Sequence, residues 1–401
     1  MKHAEAHNGA RHAIAVVGGG IAGTACALQL AAAGHRVTLL VGAPQPDTPA
    51  EDEIRYYALS PASVALLSAL GLDVESQGAC RYTDMQVWGS LPRDGLHFSL
   101  ADAPQSLPAL GHIVGHGSLL KALRDRAGSA LECLPTFAQG VHFHDAGVQI
   151  DCADGDLVTA DLVVSAEGAS AVLREAAGID MHGWDYDQQG IVANVRCAEG
   201  MRRTAWQRFL ATGPLALLPL DAHRASIVWS ADAPEAQRLL ALDDAGFASE
   251  LTRAMQGVLG DIAVESSRAA FPLRAGQAAR YFGDRLALIG DSAHVVHPLA
   301  GQGLNLGLGD VAALHAALDQ HPTQLVRALK AYSRRRRAAV EDMIAVTDGL
   351  YRLFGPAGQG FAELRDAGMA LVNRSAVARQ WLVARALGLD ARPSTNASSV
   401  G

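Results

Sequence analysis

A mixed α/β fold is predicted by three observations. A strand, a glycine turn and a helix follow one another near the start, strands dominate between Trp184 and Phe271, and residues 310 to 388 are mostly helical in pattern. His12 to Val17 reads as a fully buried strand, Gly18 to Gly23 as a tight turn, and Ile21 to Ala33 as a helix that Gly34 closes. His35 to Val41 supplies the next strand, which completes a βαβ unit. Pro44 to Glu53 holds three prolines and four acids and reads as a surface loop. Ser60-Pro61 offers an N-cap and a first helical residue, and Gly71 ends that helix. Alternation from Arg81 to Leu100 is strand-like, and Ser118 to Ala127 is helical. Asp145-Ala146-Gly147 and Asp154-Gly155 are hairpin-type turns ahead of a buried strand, Leu162 to Ser165. Leu215 to Leu220 and Ala225 to Ser230 read as strands, with one helix near Asp244 to Met255.

With 401 residues, 49% of them hydrophobic, the chain can bury a sizeable core in two interleaved domains. Its net charge of -8 provides no basic field for nucleic acid, so such a partner is not expected. The five cysteines are odd in number and include no C-x-x-C pair. That pattern argues for a reducing compartment and against a zinc site, and all five read as buried small apolar side chains. The uncharged stretch from Ala13 to Gly34 contains Ala25-Cys26-Ala27, a small-residue pattern like a signal-peptidase site. Glycines at 18, 19, 20 and 23 would weaken a spanning helix there, and the expected home is the cytoplasm.

Gly18-x-Gly20-x-x-Gly23 sits between a predicted strand and a predicted helix, the context in which this spacing binds a dinucleotide. The first glycine permits the turn, the second lets backbone approach a pyrophosphate, and the third lets helix and strand pack closely. The acid expected at the end of the second strand, where it would bind ribose hydroxyls, is replaced by Val41. Far downstream, Leu286-Ala287-Leu288-Ile289 reads as a strand that delivers Asp291 to its end. The chain then turns through Pro298 and two glycines into a helix from about Leu304. A helix start behind Gly-x-Gly presents bare N–H groups to an electron-rich ligand edge, and a carboxylate at a strand end can accept from polyol hydroxyls.

The run Gly290-Asp291-Ser292-Ala293-His294, followed by His297-Pro298-Leu299-Ala300-Gly301-Gln302-Gly303-Leu304-Asn305, resembles the second flavin motif of the single-component FAD aromatic hydroxylases, most closely the ubiquinone-biosynthesis hydroxylases. Val163 to Arg174 resembles the middle motif, with Glu167 in place of its aspartate and Ala171 in place of its serine, while Gly168 and Arg174 match. Val114-Gly115-His116-Gly117 stands where the family has Val-Glu-Asn-Arg. The likeness runs from about His12 to Leu389.

The resemblance implies a Rossmann-like FAD-binding domain of residues 10–75, 110–180 and 272–320, interleaved with a substrate-covering sheet domain of 76–109 and 181–271. A C-terminal helical region of 321–389 and a disordered tail of 390–401 complete the expectation. It implies FAD held by Gly18, Gly20, Gly23, Arg55, Glu167, Gly168, Asp291, Gly301, Gln302, Gly303, Leu304 and Asn305. Pro298 would lie near the oxygen-reacting edge, and His297 is the second candidate catalytic residue, although a structural role suits His294 and His297 better. NAD(P)H would reduce the flavin without a Rossmann domain of its own, and the substrate would be a membrane-derived polyprenylphenol. Proteins of a ubiquinone-biosynthesis complex and peripheral contact with the inner membrane are the implied partners. The arginines at 334 to 337 could meet anionic headgroups, but on a helix they spread around the circumference and read as a solvated face. No metal site is expected. A hydroxylase of small soluble aromatics, a non-catalytic scaffold and a flavin reductase or oxidase of the same fold stay open.

Overall fold

The computed structural model describes residues 12–43, 49, 52–92, 95–103, 105–296, 302–354, 372–373 and 375–386. A five-stranded parallel sheet runs in the order Leu286–Leu288, Leu162–Ser165, Ala13–Val17, Arg36–Leu40, Glu132–Leu134. The strands Leu286–Leu288, Leu162–Ser165 and Ala13–Val17 are buried on both faces, which explains their apolar content, whereas the edge strand Glu132–Leu134 is only partly covered. Register places Val17 level with Leu40 and Ser165, and Ser165 level with Leu288. The residues that follow, Gly18, Val41, Ala166 and Ile289, therefore leave the sheet along one edge. Three bonds hold that edge: the amide of Gly18 donates to Leu40 O, that of Ala166 to Val17 O and that of Ile289 to Ser165 O. The stretch from Ala13 to Gly34 is a strand, a turn and the helix Ile21–Ala32, and among the described residues no helix is long and apolar enough to cross a membrane.

The second large layer is a nine-stranded sheet, almost entirely antiparallel, centred on Met181–Cys197 and Arg224–Asp232. Alternate residues of Met181–Cys197, namely Ile191, Ala193, Val195 and Cys197, face a core closed by the helices Ala233–Ala241 and Asp244–Ala254. The first of these helices is absent from the sequence reading, although Asp232 caps it and Pro234 sits in its first turn. The opposite face meets the nucleotide domain, where Asn194 Nδ2 donates to Glu53 O at 2.7 Å. The strand Ala269–Ala278 crosses the limit drawn from the sequence at 271/272 and belongs to this sheet, as does His294–Val295. Cys80–Tyr82 pairs instead with Gly111–Gly115, which also pairs with Tyr56–Leu59. Cys80 and Cys133 are only half-buried, so the reading of all five cysteines as buried holds for Cys26, Cys152 and Cys197.

A fully buried carboxylate ties the late motif to the helices behind it. Asp310, on the helix Gln302–Gln320, accepts from Gly290 N at 2.9 Å, lies 2.7 Å from His294 Nε2 and accepts from Arg336 Nε at 2.6 Å. Burial alone would raise this carboxyl; His294, Arg336 and the Gly290 amide outweigh it and hold the group below its usual range. Arg336 also donates to Leu306 O at 3.0 Å, and Tyr332 on the same helix, Leu325–Phe354, donates to Leu288 O. The arginine run is thus not a uniform solvated face. Arg334 and Arg335 are exposed, whereas Arg336 is a buried ion-pair partner that the helical count could not distinguish.

Removing one member of a buried pair leaves the other charge uncompensated. Arg336→Met is expected to lower unfolding free energy by about 3–5 kcal/mol, and a second change, Asp310→Asn, to recover part of that loss. Urea unfolding of the two variants checks this; a wild-type midpoint for Arg336→Met would contradict it.

Candidate active site

The common sheet edge is where the chemistry-bearing segments converge, as open parallel sheets bind ligands beyond the carboxyl ends of their strands. The three glycines of the early motif have three different reasons to be there. Gly18 has φ 121°, and a Cβ on it would stand 2.2 Å from Ala166 O. On Gly23 a Cβ would come 2.0 Å from Gly18 O, so this position serves helix packing. Gly20 differs, because a Cβ there would meet nothing within 4 Å. Its open side lies at the start of the helix Ile21–Ala32, where Gly20 is the N-cap and no side chain caps the first turn. Free N–H groups, the positive end of the helix dipole and open space suit a pyrophosphate.

The late motif reaches the same place. Ile289 leaves the strand, Gly290 turns at φ 58°, and Asp291 follows. The close neighbours of Gly290 and Gly307 include one residue of the early helix, since an added Cβ on either would contact Ala22 Cβ, at 3.6 and 3.5 Å. The two distant segments are therefore packed against each other. Ser292 Oγ donates to Gly168 O at 3.1 Å and joins the middle motif to them.

Asp291 is exposed at the sheet edge yet is surrounded by enough protein that desolvation raises its carboxyl above the ordinary range, with His294 and Arg55 pulling it down and Asp310 pushing it up. Arg55 itself is exposed, with its guanidinium 5.3 Å from the centre of the Tyr57 ring, and it acts electrostatically on Asp291. The Tyr57 hydroxyl lies 3.1 Å from His116 Nδ1. Burial pushes the phenol up to about 12, against Arg55 and with help from Asp291 and Glu53. Burial and Arg55 together lower His116. Arg55, Tyr57, His116 and Asp291 thus share one electrostatic neighbourhood.

The remaining sequence candidates fall into three groups. Gln302, Gly303, Leu304 and Asn305 open the helix Gln302–Gln320, and a Cβ on Gly303 would meet nothing within 4 Å. The Asn305 amide group is occupied by protein: it accepts from Ser60 N and Ser63 Oγ at 2.8 and 2.7 Å and donates to Ala58 O at 2.8 Å. The Glu167 carboxylate likewise accepts from Ser165 Oγ at 2.8 Å and Leu173 N at 3.2 Å, and burial raises it. Gly168 has φ 86° with open space around its Cα. His297, Pro298 and Gly301 lie outside the described residues.

Two functional neighbours escape the sequence reading. Glu53, placed there in a surface loop, is buried, and its carboxylate accepts from the amides of Arg55 and Gly117. It fixes the segment that carries Arg55. Asp310 is the second, and a lone acid in the apolar turns Leu306 to Leu314 was an available signal. Among the described residues no cluster of His, Cys, Asp and Glu is arranged to hold a metal ion.

Residues 11–347 match the FAD binding domain family. The 3-demethoxyubiquinol 3-hydroxylase of Escherichia coli is 33% identical over 392 residues, which cover 94% of this chain and 98% of that protein. A mitochondrial ubiquinone biosynthesis monooxygenase of Mus musculus is 30% identical over 431 residues, covering 92% and 90%. In fold, the chain matches a probable FAD-dependent monooxygenase from Pseudomonas aeruginosa with a TM-score of 0.75 at 23% identity, over 89% of this chain and 99% of that one. A Klebsiella pneumoniae protein complexed with FAD and uric acid gives a TM-score of 0.75 at 17% identity, over 93% and 97%.

If Asp291 accepts from a ribityl hydroxyl, its raised carboxyl predicts pH-dependent flavin binding, because binding must expel the proton that Asp291 holds at acid pH. FAD affinity is expected to weaken as pH falls through the raised Asp291 value and to level off above it. Asp291→Asn should bind more weakly at neutral pH and lose this slope. Fluorescence titrations across the acid range check it; an unchanged slope in Asp291→Asn would remove this residue from the site.

Proposed function

This chain belongs to the FAD-dependent aromatic monooxygenases that include the ubiquinone-biosynthesis hydroxylases, and from that premise we propose that it hydroxylates the ring of a polyprenylphenol on the route to ubiquinone, with NAD(P)H as reductant. The observation that carries this reading is the end-to-end match to ubiquinone hydroxylases, joined to a sheet edge on which the early glycine turn and Asp291 meet. In the overall reaction a ring C–H becomes C–OH with one atom of dioxygen. The other atom leaves as water, taking up two electrons and one proton from the hydride of NAD(P)H and one proton from solution, while the proton lost from the ring carbon is matched by the one on the new hydroxyl.

FAD supplies the oxygen activation. The residues of this chain bind, orient and shield. The amides at the start of the helix Ile21–Ala32 would hold the pyrophosphate, Asp291 would accept from the ribityl chain, and Arg55 would place positive charge beside it. The first amides of the helix Gln302–Gln320 would favour negative charge on a flavin held beside them. Pro298 would lie near the oxygen-reacting edge, and His297 would serve a structural role near the flavin. Tyr82, Phe98, Leu110 and Ile113 pack with Leu382 and Val383 of the helix Ala376–Ala386 in an apolar cluster of their own. Because a polyprenylphenol resides in a membrane, the protein works at a membrane surface, beside other enzymes of the route.

The purified protein supplied with FAD, NAD(P)H, dioxygen and a polyprenylphenol is expected to yield a product heavier by one oxygen atom, with reductant oxidised faster when the phenol is present. Turnover of small soluble phenols alone would replace the proposed substrate, and phenol-independent oxidation without product would indicate an oxidase.

A further inference from the structure

The end of the second parallel strand lacks the acid that would hold the adenosine ribose, yet its surroundings are built around a different group. Val41 closes this strand edge, with its amide donating to Leu134 O at 2.9 Å, and it abuts the glycine turn so closely that a Cβ on Gly19 would lie 2.7 Å from Val41 O. Gly42 follows at φ 78°, and its amide donates to Thr136 O at 3.1 Å. The next residue on that neighbouring segment is Phe137. Its ring lies over the Cα of Gly42, where a Cβ would stand 2.8 Å from ring Cε1. The ring is 56% exposed, among the largest exposures of any bulky apolar side chain here, although the backbone beneath it is pinned by Ala153 N donating to Phe137 O at 2.9 Å. A single exposed ring is common on protein surfaces, and what sets this one apart is its place, on a pinned backbone against the left-handed Gly42 at the end of the second strand.

A dinucleotide whose pyrophosphate sits at the first helix runs its adenosine toward the end of the second strand, which is Val41 and Gly42. We propose that Phe137 is a cofactor-binding residue that stacks on the adenine of FAD and supplies affinity that Val41 cannot. The proposal rests on the FAD reading above. Gly42 then has a purpose beyond its turn, because a side chain there would displace the ring. Stacking needs no acid on the adenine side, so the departure at Val41 and the exposed ring at Phe137 become two parts of one arrangement.

FAD titration of apoprotein tests it, with wild type, Phe137→Ala and Phe137→Trp compared and FMN, which has no adenine, as the second probe. Aromatic–base stacking of this kind predicts a roughly ten- to hundredfold weaker FAD constant for Phe137→Ala, with Phe137→Trp close to wild type. FMN binding and the melting temperatures of the apoproteins should be alike in all three. Wild-type FAD affinity in Phe137→Ala, equal losses in the alanine and tryptophan variants, or an equal loss toward FMN would each overturn the stacking role. A wild-type protein that takes up no FAD would instead overturn the flavin reading and this proposal with it.

Discussion

The buried carboxylate of Asp310 is the constraint on which the site depends. A charge with no access to water is tolerable only when its oxygens are fully engaged, and here the three partners come from two parts of the chain: the amide of Gly290 and the ring of His294 in the late motif, and the guanidinium of Arg336. Satisfying Asp310 therefore fixes the left-handed turn at Gly290, and that turn sets Asp291 at the sheet edge. The same contacts set where the helix Gln302–Gln320 begins relative to the sheet edge. A structural charge cluster thus positions both Asp291 and the start of this helix.

The two aspartates divide labour by environment. Asp310 is held ionised by closely placed partners, so its stabilising contribution is full above the ordinary carboxylate range and is lost only as pH falls through its depressed value. Asp291 stands exposed at the sheet edge with its carboxyl raised, its positive neighbours being Arg55 and His294. Arg55 reaches that position because Glu53 accepts from its backbone amide and from that of Gly117, while Asn194 of the large sheet grips the Glu53 carbonyl. The Asn194–Glu53 bond consequently ties the large sheet to the segment that carries Arg55.

What could be read from the sequence was local. The strand, glycine turn and helix at the start, the Ser60-Pro61 cap and the strand leading to Asp291 are all encoded within a few residues of where they act. The convergence of the early and late motifs was legible as a resemblance, and the contacts of Ala22 with Gly290 and Gly307 give it a physical form. Long-range pairing was not legible. Arg336 looks like its neighbours until Asp310 is placed beside it, and Glu53 looks like a loop acid until Gly117 and Asn194 close around it. Asn305 matched a motif position and Glu167 replaced the aspartate of one, but motif letters do not reveal that both side chains are engaged by neighbouring protein groups.

The central claim is that one cofactor site is assembled from two distant segments. Hydrogen exchange of the apoprotein with and without FAD tests it most directly. The account expects FAD to slow exchange together at residues 18–24 and at residues 290–296 and 302–306, with smaller changes elsewhere in the parallel sheet. Protection confined to the early segment, with the late one exchanging as in the apoprotein, would contradict it.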